Sequence, residues 1–92
     1  MFSLREFGSS FATRERGAEL RAAILAHGAA DHAVTIDFAD VTNVSYSFAD
    51  ELVGRLPTED FDARNIELTN MNATVERIVR SARRRRIGAL AT

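Results

Sequence analysis

The stretch Val34–Leu56, VTIDFADVTNVSYSFADELVGRL, contains a strand, a loop and a helix in succession. Val34, Ile36 and Phe38 alternate with Thr35 and Asp37, the two-residue period of a strand with one face in a core. Phe48, Leu52 and Leu56, flanked by Ala49 and Val53, make the broad apolar stripe of a helix lying on a sheet. Between them runs a polar loop whose serines open that helix. Hydroxyls at such a junction stand beside helix N–H groups that lack partners, a place suited to binding or accepting a phosphate. The pattern implies a docking or switching surface before a catalytic one.

Upstream, Phe2, Leu4 and Phe7 suggest a short strand over Phe2–Phe7, and Gly8-Ser9-Ser10 a turn. Thr13 is placed to N-cap a helix running to about His27, with Gly28 at its C-cap. Leu20, Ile24 and His27 share its inner side with Ala23, while Arg14, Glu15, Glu19 and Arg21 are expected on the wet side. Downstream, Pro57 stops the central helix, and Pro57–Arg64 is a polar connection anchored only by Phe61. Asn65–Thr69 reads as a third strand with Ile66 and Leu68 inward. Asn70-Met71-Asn72 offers capping side chains to a last helix marked by Val75, Ile78, Val79 and Ala82, and Ile87–Thr92 reads as a fraying tail.

The order is β-α-β-α-β-α. Helical crossovers between strands favour parallel pairing and right-handed connections, so the expected fold is a small α/β domain with a mostly parallel sheet covered by helices. Its 92 residues make one domain, 1–92, with a core over about 2–86. A sheet of three strands leaves edges open to a second copy or an added peptide strand, so a homo-oligomer is one expectation.

Composition narrows the chemistry. Apolar residues are 46% and charged residues 27% of the chain, a balance that supports folding rather than disorder. The absence of cysteine removes disulfides, thiolate metal sites and thiol nucleophiles. All 12 basic residues are arginine, so no lysine side chain can form a Schiff base. The net charge of −1 argues against general nucleic-acid binding. The first residues, MFSLREF, have neither a basic start nor a long apolar stretch, and no segment reads as a membrane span. The expected location is cytoplasmic.

Asp37-Phe38, Val41 and Ser45-Tyr46-Ser47-Phe48-Ala49-Asp50-Glu51-Leu52, followed by Asn70-Met71-Asn72 and a Val/Ile-rich helix, resemble the bacterial STAS-like domain family. The likeness spans roughly Arg5 to Arg83, and its densest part is DF-x-x-V followed by S-F-A-D-E-L. That family is more distantly similar to the STAS domains of anti-sigma-factor antagonists, which bind a serine-kinase-type anti-sigma factor. The resemblance implies a phosphoacceptor at Ser47, with Ser45 the other candidate. It also implies a protein partner, either a serine-kinase-type ATPase or a DNA-binding regulator. Ser45 stands where the antagonists have Asp, and Phe48 where they have Gly, so the start of this helix must differ from theirs.

A simpler role for Ser47 is to N-cap the helix with Asp50 at its third position, a capping-box-like arrangement. Asp50 and Glu51 are consecutive, and neighbours in an α-helix point about 100° apart, which suits them poorly to paired acid–base work. With Asn43 and Tyr46, whichever of the two is exposed is expected to contact a partner. Asp37, Asp40 and Asn43 lack the convergence a hard-cation site requires, and His27 and His32 have no companions at ligand spacing. No cofactor, metal or catalytic residue is therefore expected. Arg77, Arg80 and Arg84 recur on one side of the last helix and are the alternative site, for nucleic acid or an acidic partner. The lack of interleaved aromatics disfavours nucleic acid there.

Overall fold

The computed structural model describes residues 1–27, 34–56 and 66–91, the side chains of His27 and of residues 86–91 excepted. Its strands are β1 (Phe2–Ser3), β2 (Ser10–Phe11), β3 (Val34–Asp37), β4 (Asn43–Val44) and β5 (Ile66–Thr69). Its helices are α1 (Arg14–His27), α2 (Tyr46–Ala49), which continues as a π-helical turn over Asp50–Gly54, and α3 (Ala73–Ala91). The expectations for Gly28, His32 and Pro57–Arg64 fall outside the described residues.

β1, β3 and β5 form a parallel sheet in that order, with Phe2 opposite Ile36 and Ile36 opposite Leu68. Each crossover carries the chain one strand in the same direction. Right-handed connections then put α1 and α2 on one face of the sheet. Accordingly α2 and its π turn touch both α1 and α3, so the three helices make a single layer. Strand alternation turns Phe2, Val34, Ile36, Ile66 and Leu68 toward that layer and Ser3, Thr35, Glu67 and Thr69 away from it. Leu20 and Ile24 of α1, Phe48, Leu52 and Val53 of the central helix, and Val75, Val79 and Ala82 of α3 complete the core. Each large side chain fully buried here contributes about 1.5–3 kcal/mol.

Thr13 caps α1 through its Oγ1, which accepts from the Arg16 amide at 3.2 Å. Asn72 caps α3, its Oδ1 accepting from the Val75 amide at 2.8 Å. Three features differ from the sequence reading. The first strand stops at Ser3, because Leu4 turns into the core on a 3-10 turn (Leu4–Glu6) and Phe7 folds back to stack on Phe2 with ring centroids 5.4 Å apart. A second, two-stranded parallel ladder joins β2 to β4. Finally, α3 continues to Ala91, so the segment read as a tail from Ile87 is helical, in keeping with the helix-forming Ala89, Leu90 and Ala91.

Candidate functional site

The loop from β3 to α2 is held at three places. At its start, the Asp37 carboxylate accepts from the Ala39 amide and from Asn70 Nδ2, each at 2.9 Å. The Asn70 bond, then the Ala39 bond, holds that carboxyl below its ordinary range despite burial. In its middle, Asn72 Nδ2 donates to the carbonyls of Val41 and Thr42 at 3.2 Å each, so one side chain ties the loop down and caps α3. On its outer side, β4 pairs with β2, and Thr42 Oγ1 donates to the Ser9 carbonyl at 3.0 Å.

These ties set the junction where α2 begins. Ser45, not Ser47, is the N-cap: its Oγ accepts from the Phe48 amide at 3.0 Å and donates to the Ala12 carbonyl at 2.9 Å. The helix therefore begins at Tyr46, placing Ser47 in its first turn rather than at its boundary. The sequence pattern Ser47-x-x-Asp50 points to Ser47, whereas the contact of Ser45 with Ala12, which only the fold supplies, favours Ser45. Ser47 is half-buried, Tyr46 is 37% exposed and Asn43 lies exposed on β4. Phe48 is buried and stacks on Phe11 at 4.9 Å.

Neither Asp50 nor Glu51 is the exposed carboxylate expected from the sequence: both are buried and paired with Arg14 of α1. Arg14 Nη1 donates to Asp50 Oδ2 and to Glu51 Oε1, each at 2.9 Å. Arg21 Nη1 pairs with Glu51 Oε2 at 3.0 Å and also donates to the Glu51 carbonyl, and Arg55 Nε lies 3.0 Å from Glu51 Oε1. Arg14, with Arg21 and Arg55 in support, holds the Glu51 carboxyl below its usual range against the opposing effect of burial. The Arg14 guanidinium is correspondingly pushed up, by Asp50 first and Glu51 second. A π turn holds more residues than an α turn, which narrows the angle between neighbours and lets consecutive carboxylates meet one guanidinium. The available signal was Gly17, a helix-interior glycine spaced between Arg14 and Arg21 on the same side of α1. It marks a face approached closely by another backbone.

The remaining candidates stay apart. Asp40 turns outward to Arg5 at 3.4 Å while Asp37 faces Asn70, and Asn43 sits on β4. No group of three His, Asp or Glu converges among the described residues. His27 ends α1. Arg77, Arg80 and Arg84 are exposed on α3, where Arg80 pairs with Glu76 at 2.7 Å.

Residues 16–76 match the family described as a STAS-like domain of unknown function. The chain belongs to the STAS-like family. The match takes in α1 from Arg16, β3, the capped loop, the central helix, β5 and the start of α3, a narrower span than the expected Arg5 to Arg83 that leaves β1, β2 and most of α3 outside it. No curated protein and no solved structure matches the chain. Within this STAS-like domain the Ser45–Ser47 junction lies inside the matched stretch, whereas Arg77, Arg80 and Arg84 lie beyond it. No helix among the described residues is long and apolar enough to cross a membrane.

Proposed function

We propose that this STAS-like domain is a noncatalytic, cytoplasmic regulatory module that docks a protein partner through Asn43, Tyr46 and Ser47 at the start of α2. A partner with serine-kinase-type ATPase activity switches the contact by phosphorylating Ser47. The observation that carries this reading is the division of labour between the serines: Ser45 Oγ is committed to Phe48 and Ala12, which leaves half-buried Ser47, beside exposed Tyr46, as the candidate hydroxyl. A phosphate there adds about −1.5 to −2 charges to the contact face, enough to disrupt an apolar or acidic partner surface.

The test is incubation with ATP and a serine-kinase-type ATPase, followed by mass spectrometry and a binding assay. Modification at Ser47, lost in Ser47→Ala, and weakened binding by Ser47→Asp are the expected results. An unmodified loop together with unchanged binding by Ser47→Asp overturns the proposal.

A second reading, an acidic-partner surface on α3, draws support from the exposure of Arg77, Arg80 and Arg84. Phosphate contacts weaken steeply as salt rises, so a salt series with an oligonucleotide and with an acidic peptide separates the two kinds of anionic partner.

A further inference from the structure

The start of α1 runs beside the first turn of α2. The Ala12 carbonyl accepts from Ser45 Oγ, and Gly17 lies against Glu51 and Leu52. The two segments therefore advance in the same direction, and between those contacts Arg14 falls level with Ser47. Ser47 stands one helical turn ahead of Asp50 and Glu51, and residues three and four apart share a helix face. It thus belongs to the stripe that Arg14 covers.

Arg14 is only partly used. A guanidinium has five N–H donors. Both hydrogen bonds of Arg14, to Asp50 Oδ2 and to Glu51 Oε1, leave from Nη1, and its Nε and Nη2 make none to any described residue. The side chain is 46% exposed, which gives that unused edge access to water. Such an edge is the fork that meets two oxygens of a phosphate at once. The surrounding charge has the matching sign, because Glu51 also holds Arg21 and Arg55, so three arginines meet two carboxylates. Arg16, the next arginine of α1, is turned away to Phe7 and Glu19.

We propose that Arg14 binds the phosphate of phosphorylated Ser47 through Nε and Nη2 while its Nη1 stays on Asp50 and Glu51. The domain then holds its own phosphoserine against α1, as a fixed charge beside exposed Tyr46. This rests on the reading of Ser47 as the phosphoacceptor and adds the residue that receives the phosphate.

Phosphoserine placed at position 47 by genetic encoding makes the test independent of any kinase. The second ionisation of its phosphate, at about pH 6 in a free phosphoserine, is followed by phosphorus NMR. Neighbouring Asp50 and Glu51 push that midpoint up, whereas an arginine in contact pulls it down by about one pH unit or more. In the full chain the midpoint should fall to about 5.5 or below. In Arg14→Gln it should rise above about 6, since the two carboxylates then act without Arg14. Arg55→Gln loses a bond to the same Glu51 but lies two turns beyond Ser47, and should leave the midpoint where it is. Circular dichroism verifies that each protein stays folded across the titration. Should Arg14→Gln not fold, Arg14→Lys decides, because lysine keeps the charge without the fork and should give a midpoint higher than that of the full chain.

A midpoint at or above about 6 in the full chain, or an unchanged midpoint in Arg14→Gln or in its lysine substitute, overturns the proposal. So does an equal rise in Arg55→Gln, which assigns the effect to diffuse charge. Those results leave the docking reading standing, because kinase modification and partner binding judge it. Conversely, a low midpoint that depends on Arg14, together with undiminished partner binding by the phosphorylated chain, keeps the arginine contact and removes the switch.

Discussion

Gly17 of α1 lies directly against Glu51 of the central helix: a methyl group at Gly17 would stand 2.9 Å from Glu51 Cβ and 2.8 Å from the Phe48 carbonyl oxygen. The backbones of α1 and α2 thus meet where the Arg14–Glu51–Arg21 bridges form. A side chain at Gly17 would push α1 outward and lengthen all of them.

Gly17→Ala tests this packing. Overpacking costs about 1–3 kcal/mol, and the better helix propensity of alanine returns at most about 1 kcal/mol, so a net loss is expected. Thermal denaturation should show a Tm lower by several degrees. An unchanged or higher Tm would mean that α1 is not seated as closely as described.

Glu51→Gln keeps the shape and removes the charge that Arg14, Arg21 and Arg55 surround. Glu51 is buried but Arg14 and Arg55 are nearly half exposed, so solvent screens the loss, which should be about 1–3 kcal/mol. Urea unfolding should show a lower midpoint with an unchanged m-value. Arg55→Gln should cost less, since that side chain is 47% exposed and two other arginines remain on Glu51.

Acid should destabilise the domain through the same carboxylates. The Glu51 and Asp37 pKa values are lowered in the folded state, so the unfolded chain binds their protons more readily. Their stabilising contribution is complete above the ordinary carboxylate range, near 4.5 for Glu and 3.8 for Asp, and is lost as pH falls through the lower folded values. Unfolding free energy measured from neutral pH downward should decline over that window. In Glu51→Gln the decline should be shallower.

The two serines should separate cleanly. Ser45→Ala removes an N-cap worth about 1 kcal/mol and leaves the Ala12 carbonyl without its donor, so Tm should fall. Ser47→Ala should leave stability within about 0.5 kcal/mol while abolishing phosphorylation. A large loss of stability in Ser47→Ala would assign that hydroxyl a structural role instead.

Features governed by local periodicity were legible in the sequence. Val34–Phe38 shows its strand by alternation, and Val75, Ile78, Val79 and Ala82 show their helix by spacing, because each pattern records burial against a single layer. Thr13 and Asn72 were readable as caps for a similar reason, since a capping side chain acts within three residues of itself. What escaped depends on residues about thirty positions apart. Glu51 is buried because Arg14 and Arg21 come to it across a helix contact, and Ser45 rather than Ser47 caps because Ala12 is at hand. The β2–β4 ladder, two residues on each side, is too short to leave a period.

That ladder has a mechanical consequence. Through Ser9, Phe11 and Ala12, residues 1–12 grip the segment 42–45 immediately ahead of Tyr46 and Ser47. Force applied to this N-terminal arm would therefore be felt first at Ser45, the cap of the central helix, rather than in the β1–β3–β5 sheet.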